Sequence, residues 1–292
     1  MEWWQALVLG IVQGLTEFLP VSSSGHLMMF RELLGVDSEG FLDFTVTVHF
    51  ATVLSTIIVF WSVIWKLLSG LFKFRCSFSI DDNTEWGVFR FKYNDETDYI
   101  LKLIVSMIPI GIVGLCFKDA VEGLFADNLF TVGVCLIITA VLLAISDQSF
   151  RWTSPKEDPV NEKGPRNGIS YLQAFIVGLG QSFAVAPGLS RSGTTIATGL
   201  ICGVKREKMA QFSFLMVLAP IVGEQLLDII KGFGAPSAEA GVGALPLLFG
   251  FVGAFLAGLF SCKAMIAIVK KAKLIWFSIY CLIAAAAIFI FA

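Results

Sequence analysis

Charge is what this chain has least of. Only 15% of its 292 residues are Asp, Glu, Lys or Arg, while 56% are hydrophobic, and the formal net charge is −2. Mean hydropathy is +0.80, which excludes an ordinary soluble domain, where about a quarter of residues are charged. With no basic field, and Lys and Arg kept to loops rather than interleaved with aromatics, nucleic-acid binding is excluded as well. Histidine occurs twice, at His26 and His49, and the six cysteines show no C-x-x-C spacing. A zinc site and a disulfide framework are therefore excluded, and the cysteines read as small packing residues. The start, Met1-Glu2-Trp3-Trp4, has no positive n-region, and the apolar run behind it is interrupted by Gln13 and Glu17. No cleaved targeting segment is expected.

Apolar runs long enough to cross a bilayer lie at Phe44 to Trp65, Tyr99 to Phe117, Leu129 to Ser146, Phe212 to Ile230, Ala244 to Val269 and Leu274 to Ala292. Two further segments, Gln5 to Leu19 and Tyr171 to Ala186, are shorter, and each runs into a proline (Pro20, Pro187), a Ser-rich turn and a second short apolar piece. These two repeat each other. At an offset of 168 residues the pairs Gln5/Gln173, Ala6/Ala174, Gly10/Gly178, Gln13/Gln181, Ser22/Ser190, Ser24/Ser192 and Gly25/Gly193 are identical, which marks an internal duplication.

Proline and polar turns at membrane depth are tolerated only inside protein or beside a water-filled cavity. The expected fold is accordingly an all-α polytopic membrane protein of six transmembrane helices plus two re-entrant helix-turn-helix hairpins. Three spans separate the hairpins, so the halves, about 1–150 and 168–292 of a single integral membrane domain, form an inverted-topology repeat. The loops 66–98, 147–170, 204–210 and 270–273 with their flanks hold sixteen Lys and Arg, against three (Arg31, Lys118, Lys231) on the opposite face. That bias places the richer face in the cytoplasm and both termini outside. The charged loop from Cys76 to Asp98 reads as a solvated connector with room for a short hairpin. Ser154 to Gly168, with three prolines, reads as the linker between the halves.

Gln13 and Glu17 are four apart and share one helical face below the turn Pro20-Val21-Ser22-Ser23-Ser24-Gly25-His26. An ionisable group inside a membrane element is costly and marks a functional site. Ser22, Ser23 and Ser24 put hydroxyls and backbone N–H groups at a helix N-terminus, a natural anion seat. His26 suits general acid or base work, whereas His49 has no such company and reads as structural. The second turn, Pro187-Gly188-Leu189-Ser190-Arg191-Ser192-Gly193-Thr194-Thr195, adds an arginine flanked by hydroxyls, fitted to phosphate oxygens. At the repeat offset Glu17 becomes Val185, Ser23 becomes Arg191 and His26 becomes Thr194. One copy carries acid-base groups and the other the cation.

These motifs, Gln13-x-x-x-Glu17, Pro20-Val21-Ser22-Ser23-Ser24-Gly25-His26 and Pro187-Gly188-Leu189-Ser190-Arg191-Ser192-Gly193-x-Thr195, resemble the signatures of the bacterial undecaprenyl-diphosphate phosphatase family, often called bacitracin-resistance proteins. The resemblance runs the length of the chain. It implies hydrolysis of undecaprenyl diphosphate to the monophosphate that carries wall precursors, in the bacterial plasma membrane with the site opening on the extracytoplasmic side. It also implies dependence on a divalent cation, Mg²⁺ or Ca²⁺. Many members have Glu where this chain has Gln13, which as an amide cannot be a base and is a poorer ligand.

On this reading Arg191, Ser190, Ser192, Gly193 and Thr195 hold the diphosphate together with Gln13, Ser22 and Ser24, while Glu17 and Gln13 also orient the metal. Ser23 is the candidate nucleophile, with His26 or Glu17 as its base; a metal-bound water and His26 itself stay open as nucleophiles. A homodimer is compatible with this reading. Two rivals are weighed. The S-R-x5-H motif of histidine lipid phosphatases is broken, because position 197 is Ala197. A transporter or flippase of an anionic lipid would share the architecture, but has no use for Glu17, Ser23 and His26 together.

Overall fold

The computed structural model describes residues 1–37, 40–71, 75–80, 87–92, 94–116, 129–153, 165–186, 188–232, 242–271 and 273–291. Most of the predicted inter-repeat linker lies outside the described residues.

The N-terminal helix α1 (Trp3–Phe18) ends where Leu19 turns extended (φ −75°, ψ 146°), as a residue preceding proline does. Helix α2 (Ser23–Leu33) then starts on Ser22, whose hydroxyl accepts from Gly25 N–H at 3.3 Å. It is followed by α3 (Phe41–Val59), α4 (Trp61–Leu71), the strands β1 (Arg75–Ile80) and β2 (Gly87–Lys92), α5 (Asp95–Cys116) and α6 (Leu129–Thr153). The second half comprises α7 (Tyr171–Phe183), α8 (Arg191–Ile201), α9 (Arg206–Gly232), α10 (Ala244–Lys271) and α11 (Ile275–Phe291). Helices α5, α6 and α10 are long and apolar enough to cross a membrane, the α3–α4 pair adds a fourth candidate, and α11 is a shorter apolar helix. The chain is a multi-pass helical membrane protein.

Two expectations need correction. The span predicted over Phe44 to Trp65 is broken at Phe60, where α3 and α4 meet at 74°. The nineteen residues of α3 rise about 28 Å, close to the hydrocarbon thickness of about 30 Å. Beyond the bend Trp61 and Trp65 are exposed and stack at 6.1 Å between centroids. Amphipathic indole rings favour the membrane–water boundary. The fold is also not purely helical. The loop read as a connector with room for a short hairpin does contain one, the antiparallel pair β1–β2, with Arg75 opposite Lys92 and Ile80 opposite Gly87.

The two helical hairpins are built alike. Gln5 on α1 takes the N–H of Glu2 at 2.7 Å and donates from Nε2 to the carbonyl of Leu34, the C-cap of α2, at 3.0 Å. Gln173 on α7 takes the N–H of Ser170 at 2.8 Å and donates to the carbonyl of Cys202, the C-cap of α8, at 2.8 Å. Both second helices end on a left-handed glycine, Gly35 (φ 60°) and Gly203 (φ 83°), a conformation glycine adopts without strain. The following residue returns its N–H to the helix: Val36 to Arg31 at 3.0 Å, Val204 to Gly199 at 2.9 Å. Leu34/Cys202, Gly35/Gly203 and Val36/Val204 stand at the same 168-residue spacing.

Each hairpin packs on the opposite half of the chain, α1 along α10 and α7 along α5. The approach is at backbone distance. A Cβ at Gly10 would stand 2.2 Å from the carbonyl oxygen of Gly250, and one at Gly178 would stand 2.1 Å from that of Ser106. Small residues at such crossings let helices associate where no hydrophobic force distinguishes neighbour from lipid. Hydroxyls add hydrogen bonds between helices, Ser55 Oγ to Phe255 O at 2.8 Å and Ser261 Oγ to Leu15 O at 2.7 Å.

At the start of α5, Asp98 accepts from Lys102 Nζ at 2.5 Å, from Asn167 Nδ2 at 2.9 Å and from Tyr171 OH at 3.0 Å. Lys102 also donates to Arg166 O at 2.6 Å. This buried pair ties the entry to α7 onto α5. Five described cysteines are free, and Cys135, Cys262 and Cys281 are buried, in keeping with packing roles.

The close crossings generate a stability test. Gly10→Ala and Gly178→Ala should each cost about 1–3 kcal/mol by overpacking, read as a lower midpoint of thermal unfolding in detergent. Gly111→Ala, where nothing lies within 4 Å of the added methyl, should leave the midpoint unchanged or raise it.

Candidate active site

The two Ser-rich turns meet inside the molecule, and each supplies what the other lacks. Ser24 Oγ accepts the N–H of Gly188 at 3.2 Å, while Ser192 Oγ donates to the carbonyl of Leu19 at 3.0 Å. Each tip therefore satisfies a backbone group of the other that no water-poor interior could leave bare. Gly188 is at φ +88°, and a Cβ there would approach Val132 Cα to 2.7 Å, so the second tip needs glycine twice over. Ser22 sits at φ 68°, ψ 98°, a region uncommon for a residue with a side chain. Such backbone outliers persist where the surroundings over-determine them, and they concentrate at functional sites.

Glu17 stands between the tips, its side chain 11% exposed. Its Oε2 accepts from Ser23 Oγ at 2.6 Å and from Gln13 Nε2 at 2.8 Å, and its Oε1 accepts from Arg191 at 3.0 Å. Both carboxylate oxygens are thus engaged, and the arginine side chain is 28% exposed. The N-termini of α2 and α8 converge here, capped by Ser22 and by Ser190, which accepts from Gly193 N–H at 3.1 Å. Helix N-termini carry partial positive charge and unpaired N–H groups. Beside Glu17 opens a cleft between α3 and α9, walled by Phe18, Val53, Phe214, Val217, Leu218 and Ile221.

The sequence-derived residues fall into three groups. Glu17, Ser23, Arg191 and Gln13 form one hydrogen-bonded cluster. Ser22, Ser24, Ser190, Ser192 and Gly193 build the turns and caps around it, with Ser22 and Ser24 hydroxyls 3.3 Å apart and those of Ser190 and Ser192 3.4 Å apart. Thr195 is buried and points away, bonding Ser213 Oγ at 2.6 Å and the carbonyl of Arg191 at 2.8 Å, so it holds α8 to α9.

His26 is not bonded to Ser23. Its Nδ1 lies 2.7 Å from Ser22 O and its Nε2 2.7 Å from Tyr280 OH. Of the two bases expected for Ser23, the geometry places Glu17 at the hydroxyl. Sequence reasoning set His49 aside, yet its Nε2 is 3.7 Å from Glu17 Oε2 while its Nδ1 engages Thr45 O at 2.9 Å. Nothing in the run Phe44 to Trp65 signals that proximity, which arises only when α3 packs beside α1. Thr139 of α6, accepting the N–H of Ser190 at 3.2 Å, was equally invisible.

A serine hydroxyl at 2.6 Å from a carboxylate, with an arginine on that carboxylate's other oxygen, is an arrangement for activating an oxygen nucleophile beside an anion. Breaking a buried ion pair from one side leaves the other charge uncompensated. Glu17→Gln and Arg191→Gln should each destabilise the fold, and the double variant should recover part of the loss. A coupling of about 1–3 kcal/mol from equilibrium unfolding of the four proteins is expected, and additive effects would show the pair to be energetically idle.

Comparison with known proteins fits this geometry. The family model described as bacitracin resistance protein BacA matches residues 6–287. An undecaprenyl-diphosphatase of Bacteroides thetaiotaomicron is 48% identical over 290 residues, covering 99% of both chains. Those of Parabacteroides distasonis and Methanosphaera stadtmanae are 49% identical over 284 residues and 38% identical over 282, covering 97% and 95% of this chain and 96% and 94% of theirs. The matched region takes in both turn tips and all but the first residues of the helices that carry them, so this chain belongs to the bacitracin resistance protein BacA family.

Proposed function

We propose that this protein hydrolyses undecaprenyl diphosphate to undecaprenyl phosphate and inorganic phosphate, at a site built where the two Ser-rich turns meet. The observation that carries it is the 2.6 Å bond from Ser23 Oγ to Glu17 Oε2 beside the Arg191 guanidinium. Relatives named undecaprenyl-diphosphatase match nearly the whole chain.

On this reading the terminal phosphate enters between the two helix N-termini and takes over the guanidinium of Arg191. Glu17, relieved of that partner, accepts the proton of Ser23. The serine oxygen bonds to the terminal phosphorus as the bond from phosphorus to the bridging oxygen breaks, and the lipid monophosphate departs with that oxygen. Water then releases phosphate from Ser23. Catalysis rests on position and charge, as phosphoryl transfer demands.

The donor set also suits a divalent cation. Gln13 Oε1 is buried with no hydrogen-bond partner on the residue that touches Glu17, and a neutral oxygen beside a carboxylate is hard-cation chemistry. Among the described residues no three His, Cys, Asp or Glu side chains gather for a metal, so phosphate oxygens would complete the shell. Glu17 and Gln13 would hold Mg²⁺ or Ca²⁺, which neutralises charge on the phosphates.

The architecture belongs to the same proposal. Helices α1, α2, α7 and α8, of 16, 11, 13 and 11 residues, rise only about 16–24 Å each, short of the hydrocarbon depth. We read them as re-entrant hairpins of two inverted repeats, with six spans around them. The matching glutamine clamps and crossed packing of the halves support duplication. The Lys and Arg bias puts both termini outside a bacterial plasma membrane, with the site facing outward and the lipid tail lying along the cleft between α3 and α9.

Purified protein should release phosphate from a polyprenyl diphosphate with Mg²⁺ or Ca²⁺ present. Glu17→Ala, Ser23→Ala and Arg191→Ala should each lower kcat/KM by a factor of about 10²–10⁴. Movement of the monophosphate lipid across liposomes without phosphate release would put a transporter in place of the phosphatase.

A further inference from the structure

The ring of His26 is held at both nitrogens, and the second holder comes from the last helix of the chain. Nδ1 lies 2.7 Å from the carbonyl of Ser22. A carbonyl can only accept, so Nδ1 carries a hydrogen. In the neutral ring Nε2 is then an acceptor, and the group facing it at 2.7 Å is the hydroxyl of Tyr280 on α11, which donates. The two rings are nearly parallel, 7° apart, with centroids at 5.6 Å, and His26 is 3% exposed.

We propose that Tyr280 is a positioning residue of this site: its hydroxyl holds the Nε2 of His26 as the proton-accepting atom, in the tautomer fixed by the Ser22 carbonyl. This deepens the phosphatase reading and rests on it for the reaction served. Because Ser22 has φ 68° and caps α2, the bond from Nδ1 ties the ring to the turn that carries Ser23. Tyr280 ties the same ring to the other half of the chain. The hydroxyl can reverse its role without moving the ring. Because the hydroxyl occupies the only lone pair of Nε2, the proton leaving the water that hydrolyses the phosphorylated serine reaches the ring through it: the phenolic oxygen takes that proton as its own hydrogen passes to Nε2, Nε2–H then donates to the phenolic oxygen, and the Nδ1 bond is untouched. His26 therefore gains or releases one proton with no rotation of imidazole.

The scarcity of histidine makes the test direct, since the chain has only His26 and His49. Full-length protein labelled with ¹⁵N-histidine should give two ring systems, assigned with His49→Gln. The His26 set should show a protonated Nδ1 and a hydrogen-bonded, unprotonated Nε2. In Tyr280→Phe, Nδ1 should stay protonated while Nε2 shifts to the position of a free acceptor. Its kcat for phosphate release should fall about tenfold with KM within a factor of about two. Tyr280→Leu, which also removes the ring, should match Tyr280→Phe in kcat; a loss confined to Tyr280→Leu would mean packing alone and overturn the proposal. So would a wild-type His26 protonated at Nε2 and bare at Nδ1, or a Tyr280→Phe spectrum identical to wild type. A wild type that releases no phosphate sinks the phosphatase reading instead, and the nitrogen spectra still decide the bond and the tautomer.

Discussion

Everything at the centre of this protein depends on a backbone problem: two turns have been brought into a largely apolar interior, where peptide groups have no bulk water to bind. Serine solves it. A short hydroxyl can cap the helix that begins at its own turn, as Ser22 and Ser190 do, or reach across to the facing tip, as Ser24 and Ser192 do. Once these bonds are made the tips cannot move independently, and the side chains they carry are fixed relative to each other. Ser23 and Arg191, equivalent positions in the two copies, converge on one carboxylate.

The interior that makes unpaired peptide groups costly also strengthens charge. Glu17 is acceptable there because it has four partners within hydrogen-bonding or ion-pairing reach: Ser23, Gln13, Arg191 and His49. In the proposed mechanism substrate phosphate competes for one of them, Arg191. Burial of an ion pair is weak evidence of stabilisation in itself; in the proposed mechanism a cation and a base are stored next to a nucleophile until an anion separates them.

Much of this was legible in the residues. A repeated Gln, Gly and Ser pattern with Glu17 in one copy and Arg191 in the other was enough to predict two matching hairpins and a shared site. What escaped was whatever depends on packing between distant elements. His49, Tyr280 and Thr139 reach the tips from α3, α11 and α6, and no local spacing records that. The break at Phe60 escaped because Trp61 to Leu71 continues the apolar pattern, so no change of residue type marks the bend. The extension of the repeat through Gly35/Gly203 was readable but lay beyond the motifs, in residues that look like ordinary helix ends.

Crossed packing has a consequence for how the molecule is made. The α1–α2 hairpin finds its main packing partner in α10, which begins more than two hundred residues later at Ala244. Until α10 and Arg191 have been synthesised, Glu17 lacks its countercharge and Gly10 has no backbone to lie against. Loop closure over such a separation is entropically slow. Assembly therefore cannot proceed half by half: a hairpin made early is completed only late, and its buried groups find their partners only once the second half has been made.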